Sequence, residues 1–156
     1  MTTSPTLFVA GAGGKLGRRV VELLLERGYE GKLIAGSRHP EKLSFAGIET
    51  RKADYGDVPG FIKALEGVDR LLLISTDVLG PVRTALQTSA VAAAKAAGVK
   101  HIVYTSMPAP EPASPIPFAS EHFGTEEAIK ASGIGYTILR MNWYSENLLG
   151  SLPSAL

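Results

Sequence analysis

Three glycines at every third position, Gly11, Gly14 and Gly17, stand between a short apolar run and an amphipathic one. That spacing suits a backbone that must hold a dinucleotide pyrophosphate. Gly11 can take the angles of a tight turn, Gly14 lets the phosphates approach the main chain, and Gly17 lets a helix pack closely on the preceding strand. The helix that follows directs its unpaired N–H groups and positive dipole end at the loop, so an anion binds there without a dedicated side chain.

Further along, side chains able to do chemistry gather where strands are expected to end. Ser37-Arg38-His39 closes the second apolar run with no acidic residue at the tip. An Asp or Glu at that place would accept bonds from the 2′-hydroxyl of NAD, whereas an arginine forks onto the 2′-phosphate of NADP. Arg38, with Lys42 a turn later, therefore predicts NADP(H), with NAD(H) as the alternative. Asp54 is positioned either to accept a bond from the adenine amino group or to cap a helix, a task for which Asp57 is better placed. Ser75 and Thr76 can contact the cofactor ribose or cap the turn before Pro81. A Tyr-x-x-x-Lys pair, in which lysine lowers the phenol pKa, is absent from the helix where it would be expected. His122 and Glu126 have its spacing instead, as a proton donor with its orienter or as an ordinary surface pair.

These residues need a scaffold of alternating strands and helices. Leu7-Phe8-Val9-Ala10 and Val68 to Ile74 read as strands buried in a parallel sheet, and Lys32 to Gly36, Lys100 to Ser106 and Gly135 to Arg140 as further strands. Gly47 to Ala53 reads as a strand at its edge. Helices are predicted after Gly14, over Val58 to Leu65, over Pro81 to Gly98 with Ala85, Ser89, Ala92, Ala93, Ala96 and Ala97 as a close-packing face, and over Ser120 to Ser132 with Ser120 as its cap. The prolines of Met107 to Pro117 exclude helix and inner strand, leaving an extended loop that is either a lid or plain coil. The pattern predicts one α/β domain over residues 1–156, a Rossmann-like doubly wound sheet in the order 3-2-1-4-5-6.

Composition narrows the function further. The chain has 156 residues, 45% of them hydrophobic, a net charge of +1, no cysteine and three scattered histidines. Cys-type zinc sites, disulfides and thiolate catalysis are excluded, and nothing argues for nucleic acid. No apolar run approaches a membrane span and the N-terminus has no signal-peptide character, so a cytoplasmic location is expected.

The stretches G-A-G-G-K-L-G, V-D-R-L-L-L-I-S, A-A-K-A-A-G-V-K-H-I-V-Y-T-S, E-H-F-G-T-E and Y-T-I-L-R-M-N-W-Y-S-E-N resemble the atypical short-chain dehydrogenases of the NmrA-like group, and within it the type 2 NAD(P)H:quinone oxidoreductases. The resemblance covers essentially the whole chain, and L-R-x-x-W-Y-x-E-N is its most specific part. It implies phosphate contacts from Gly11, Gly14, Lys15 and Leu16, 2′-phosphate recognition by Arg38, and a nicotinamide neighbourhood near Ser75, Tyr104, Ser106 and Asn142. Asn142 thereby joins His122 and Glu126 as a candidate catalytic residue. Gly13 stands where the family usually has Thr. Family members continue beyond the length of this chain into a lobe that closes over the quinone, so the substrate lobe is expected to be missing here. The apolar tail from Leu148 to Leu156 would then need a partner, and a homodimer is an open assembly. Hydride transfer from NADPH to a quinone-like small molecule is the activity implied, since a reduced quinone can take its protons from water. The rival is a redox sensor that binds NADP without turnover.

Overall fold

Four-residue to six-residue strands rich in Leu, Ile, Val and Ala bury both faces only if helices cover both sides, which a parallel sheet with crossover helices provides. The computed structural model describes residues 4–146 and has that architecture. Its elements are β1 (Leu7–Ala10), α1 (Lys15–Glu26), β2 (Leu33–Ser37), a 3-10 turn (Pro40–Lys42), β3 (Glu49–Lys52), α2 (Val58–Ala64), β4 (Arg70–Leu73), α3 (Pro81–Ala96), β5 (His101–Ser106), α4 (Ala119–Ser132) and β6 (Gly135–Arg140). The strands form one six-stranded sheet in the order β3-β2-β1-β4-β5-β6, with every pairing parallel. This is the expected order. Asn147 and the tail Leu148 to Leu156 lie outside the described residues.

Side-chain alternation along the strands sorts the core into two layers. Phe8, Ile34, Leu71, Leu73, Ile102 and Tyr104 pack with Phe61, Val91, Ala94 and Ile129 of α2, α3 and α4. Val9, Ala35 and Leu72 pack on the other side with Val21 of α1. The chain turns to opposite sides after β1 and β4, so a crevice opens beyond their carboxyl ends, the place where open α/β sheets bind ligands.

Two local expectations differ from the structure. The alanine face predicted for α3 is largely outward: Ala85, Ala92 and Ala96 are exposed, and only Ala93 of that set is fully buried. The buried stripe is Arg83, Gln87, Ala90, Val91 and Ala94 with Ala93, because the two polar side chains meet fixed hydrogen-bond partners that offset their desolvation. In α4, Ser120 is not the cap. The helix begins at Ala119 behind Phe118, whose φ of 61° is left-handed, and no side chain caps it. Phe118 lies edge-on to His122, one turn along α4, at 6.4 Å and beneath the Arg83 guanidinium of α3 at 5.8 Å. By contrast, Asp57 caps α2 as expected, accepting from the Gly60 N–H at 3.0 Å. Among the described residues no helix is long and apolar enough to cross a membrane.

Candidate cofactor site

The glycine loop is tied at both ends. The Gly14 N–H donates to the Gly11 carbonyl at 3.0 Å, and the Ala12 N–H donates to Gly36 of β2 at 2.9 Å. Gly11 has φ +80°, a left-handed value that glycine takes without strain. A Cβ on Gly17 would collide with the Gly11 carbonyl oxygen and stand 2.8 Å from Ala12 Cα, so the close packing expected of this position is real. A Cβ on Gly13 would stand 2.9 Å from Ser37 Oγ, which brings the loop against the end of β2.

Between loop, β2 and β4 lies a cleft of about 530 Å³, within the size range of small-molecule sites. Gly11, Gly14, Arg38, Lys42, Asp54 and Ser75 all line it, so six of the expected cofactor residues are brought together. Lys15 is exposed and Leu16 half-buried on the first turn of α1, and Gly17 is buried behind the loop. None of these three forms the cleft wall. The spacing and open approach of the loop suit a dinucleotide, and the cations fit its phosphates.

Arg38 and Lys42 make no ion pair among the described residues, whereas Arg19 is engaged by Glu26 at 2.9 Å and Arg51 by Glu49 at 2.6 Å. Arg18 also lines the cleft, its guanidinium 5.3 Å above the Phe45 ring in a cation–π contact. The sequence reading missed Arg18 as a cleft residue. Its position four residues after Gly14 was the available signal, because one helical turn carries a side chain back over the loop. Tyr55 was missed too. It lines the cleft and donates to the Ile74 carbonyl at 3.0 Å, and burial pushes its phenol pKa up. Asp54 accepts from the Gly56 N–H at 2.9 Å, turning the chain after β3.

Tyr104, Ser106, His122 and Glu126 are buried together behind the cleft and do not line it. The structure does not pair His122 with Glu126. His122 Nδ1 lies 2.8 Å from the Tyr104 hydroxyl. Glu126 accepts from Ser106 Oγ at 2.6 Å and from Arg140 at 2.8 Å. Burial opposes ionisation of Glu126, but the hydrogen bonds from Arg140 and Ser106 prevail and hold its pKa below the usual range. Burial, aided by the Arg83 cation, lowers His122 to about 4, and burial raises Tyr104 to about 12. At neutral pH the pair is therefore uncharged. Asn142 lies exposed just beyond β6.

Because the folded protein resists protonating His122 while an unfolded histidine titrates near 6.5, the unfolded chain binds more protons between these values. Stability is then complete above the unfolded value and falls as pH drops through it. Urea unfolding of the wild type is expected to show about 2 kcal/mol lost from pH 7 to pH 5 that His122→Asn does not lose. The stability contributed by the depressed carboxyls of Glu126, Asp69 and Glu49 is in place above their unfolded values and is lost only at lower pH. Equal losses in both proteins would refute the buried neutral imidazole.

Comparison with known proteins agrees with this geometry. Quinone oxidoreductase 2 of Escherichia coli (strain K12) is 45% identical over 153 residues, covering 96% of this chain and 53% of the relative. The crystal structure of an NADPH-dependent quinone oxidoreductase from Escherichia coli complexed with NADPH matches with a TM-score of 0.87 at 44% identity, over 96% of this chain and 53% of that one. Triphenylmethane reductase of Citrobacter sp. complexed with NADP(H) matches with a TM-score of 0.87 at 35% identity, over 96% and 54% of the two chains. The chain thus spans about half the length of these relatives. An NAD(P)H-binding family model matches residues 11–151, nearly the whole chain and the entire glycine-loop cleft, so the protein belongs to the NAD(P)H-binding family.

Proposed function

We propose that this chain binds NADPH in preference to NADH and serves a reductase that passes hydride to a quinone or similar small electrophile. The observation that carries the reading is the cleft beside the glycine loop, whose β2 end gathers Arg18, Arg38 and Lys42. The loop N–H groups and the N-terminus of α1 hold the pyrophosphate. Arg38, supported by Lys42 and Arg18, takes the 2′-phosphate. Asp54 accepts from the adenine amino group, and Ser75 faces the ribose.

When bound, NADPH supplies a hydride. The substrate oxygens then need hydrogen-bond donors more than a strong acid, because a reduced quinone takes its balancing proton from water. A neutral His122 suits that task, with Asn142 as a second donor. Tyr104, Ser106 and Glu126 support it from behind: Tyr104 orients the imidazole, while Glu126 fastens α4 to β5 and β6 through Ser106 and Arg140.

The test is titration with NADPH and NADH, followed by NADPH oxidation with a panel of quinones, on this chain and on a version extended to the length of its relatives. Tight NADPH binding with quinone-dependent oxidation is expected. Binding without turnover by the extended chain, combined with an NADP-dependent pull-down of a partner protein, would replace the reductase with the sensor reading.

A further inference from the structure

Gln87, on the buried stripe of α3, is fully enclosed. Its Oε1 accepts from the Thr76 N–H at 3.2 Å. Its Nε2 donates to the Tyr104 hydroxyl at 2.8 Å and to Thr125 Oγ1 at 3.1 Å. Thr125 has already committed its own proton to the Glu121 carbonyl at 2.9 Å, so toward Gln87 it can only accept. Both amide protons and the amide oxygen are therefore used, and a flip of the amide would set its N–H against the Thr76 N–H and its oxygen against the Thr125 oxygen.

This ordering continues in both directions. The Tyr104 hydroxyl has two side-chain partners among the described residues, Gln87 Nε2, which donates to it, and His122 Nδ1 at 2.8 Å. The buried phenol proton therefore has only Nδ1 to go to, which must present a lone pair. The imidazole proton is then on Nε2. Among the described residues no fully buried side-chain nitrogen or oxygen lacks a partner and Nε2 makes no hydrogen bond, so Nε2 is not fully buried. In the other direction lies the cleft wall. The Thr76 carbonyl is held by Nε of Arg83 at 2.9 Å and by the same guanidinium's NH2 group, while its N–H is held by Gln87. Thr76 lines the cleft, so the two peptide groups that flank it are both held by α3.

We infer that Gln87 is a positioning residue for both halves of the site: one amide fixes the Thr76 peptide in the cofactor cleft and, through Tyr104, keeps the His122 proton on Nε2. The effect on NADPH rests on the proposed function, whereas the tautomer does not.

Two substitutions separate these roles. In Gln87→Glu the Thr76 N–H keeps an acceptor, but the second carboxylate oxygen cannot donate. Tyr104 turns its proton toward that oxygen, and His122 donates to Tyr104 from Nδ1. In Gln87→Met a side chain of similar size makes none of the bonds. The readouts are the ring 15N shifts of labelled histidine, with His122 assigned by comparison with His39→Gln and His101→Gln, and the NADPH dissociation constant. The wild type at pH 7 is expected to show the Nε2–H form, and Gln87→Glu to show Nδ1 protonated. Gln87→Met is expected to bind NADPH about tenfold more weakly, the effect of about one lost net hydrogen bond. An Nδ1–H form in the wild type would overturn the inference. So would a folded Gln87→Met protein with unchanged affinity, or a folded Gln87→Glu protein whose carboxyl is ionised by its infrared band and whose His122 keeps the wild-type tautomer; a protonated carboxyl donates as the amide does and is expected to keep the Nε2–H form. Failure of the wild type to bind NADPH at all, with the Nε2–H form intact, would sink the functional reading and leave the tautomer assignment standing.

Discussion

Gly17→Ala is expected to remove about 3 kcal/mol of stability, at the upper end of the usual cost of overpacking, and to abolish measurable NADPH binding in whatever protein remains folded. The added Cβ would collide with the Gly11 carbonyl oxygen and approach the Gly11 carbonyl carbon to 2.7 Å. These are backbone atoms with no rotamer to retreat into. The same carbonyl accepts the Gly14 N–H that closes the turn, so relief of the clash pulls apart the loop proposed to hold the pyrophosphate. Gly28→Ala is the control. Gly28 has φ +65° and nothing within 4 Å of a Cβ, so alanine there is expected to cost only about 1 kcal/mol of backbone strain and to leave affinity unchanged. Urea midpoints and NADPH titration on both variants check the pair. Comparable affinity loss in the two would show that general destabilisation, and not the loop, controls binding.

The contrast between these glycines shows what sequence could reveal. Gly17 was legible because strand, loop and helix are contiguous, and the requirement for close packing is a local one. The sheet order was legible for a related reason: apolar runs alternating with helical stretches leave few right-handed parallel arrangements. Arg83 and Gln87 were illegible. Helical spacing alone makes them surface residues, and they are buried only because the Thr76 peptide, Tyr104 and Thr125 arrive from β4, β5 and α4 to satisfy them. The helical spacing of His122 and Glu126 was legible, but their partners were not: the carboxylate finds Arg140 on β6 and the imidazole finds Tyr104 on β5. Tertiary hydrogen bonding decided those pairings.

Arg38→Ala is expected to weaken NADPH binding about 10- to 100-fold, the range for losing hydrogen bonds to a charged group, while NADH affinity changes by less than about twofold. The asymmetry follows from what Arg38 faces. It lines the β2 end of the cleft with Lys42 and Arg18, and among the described residues it makes no ion pair that would have to break before a phosphate could bind. A planar fork can meet two phosphate oxygens at once, whereas Lys42 offers a point charge on a flexible stem. Lys42→Ala should therefore cost only a few-fold. Arg18 is already held over Phe45 at 5.3 Å, so it loses little freedom on binding, and Arg18→Ala should fall between the two. Arg38 and Lys42 are exposed and Arg18 half-buried, so all three effects should shrink, that of Arg18 least, as salt rises and the screening length drops below about 10 Å. Titration of each variant with NADPH and NADH at low and high ionic strength distinguishes the possibilities. A loss equal for both dinucleotides would remove Arg38 from the 2′-phosphate and make it a contact to the shared pyrophosphate. A selective loss confined to NADPH would make the missing acidic residue at the end of β2, and the arginine standing there, the determinants of cofactor choice.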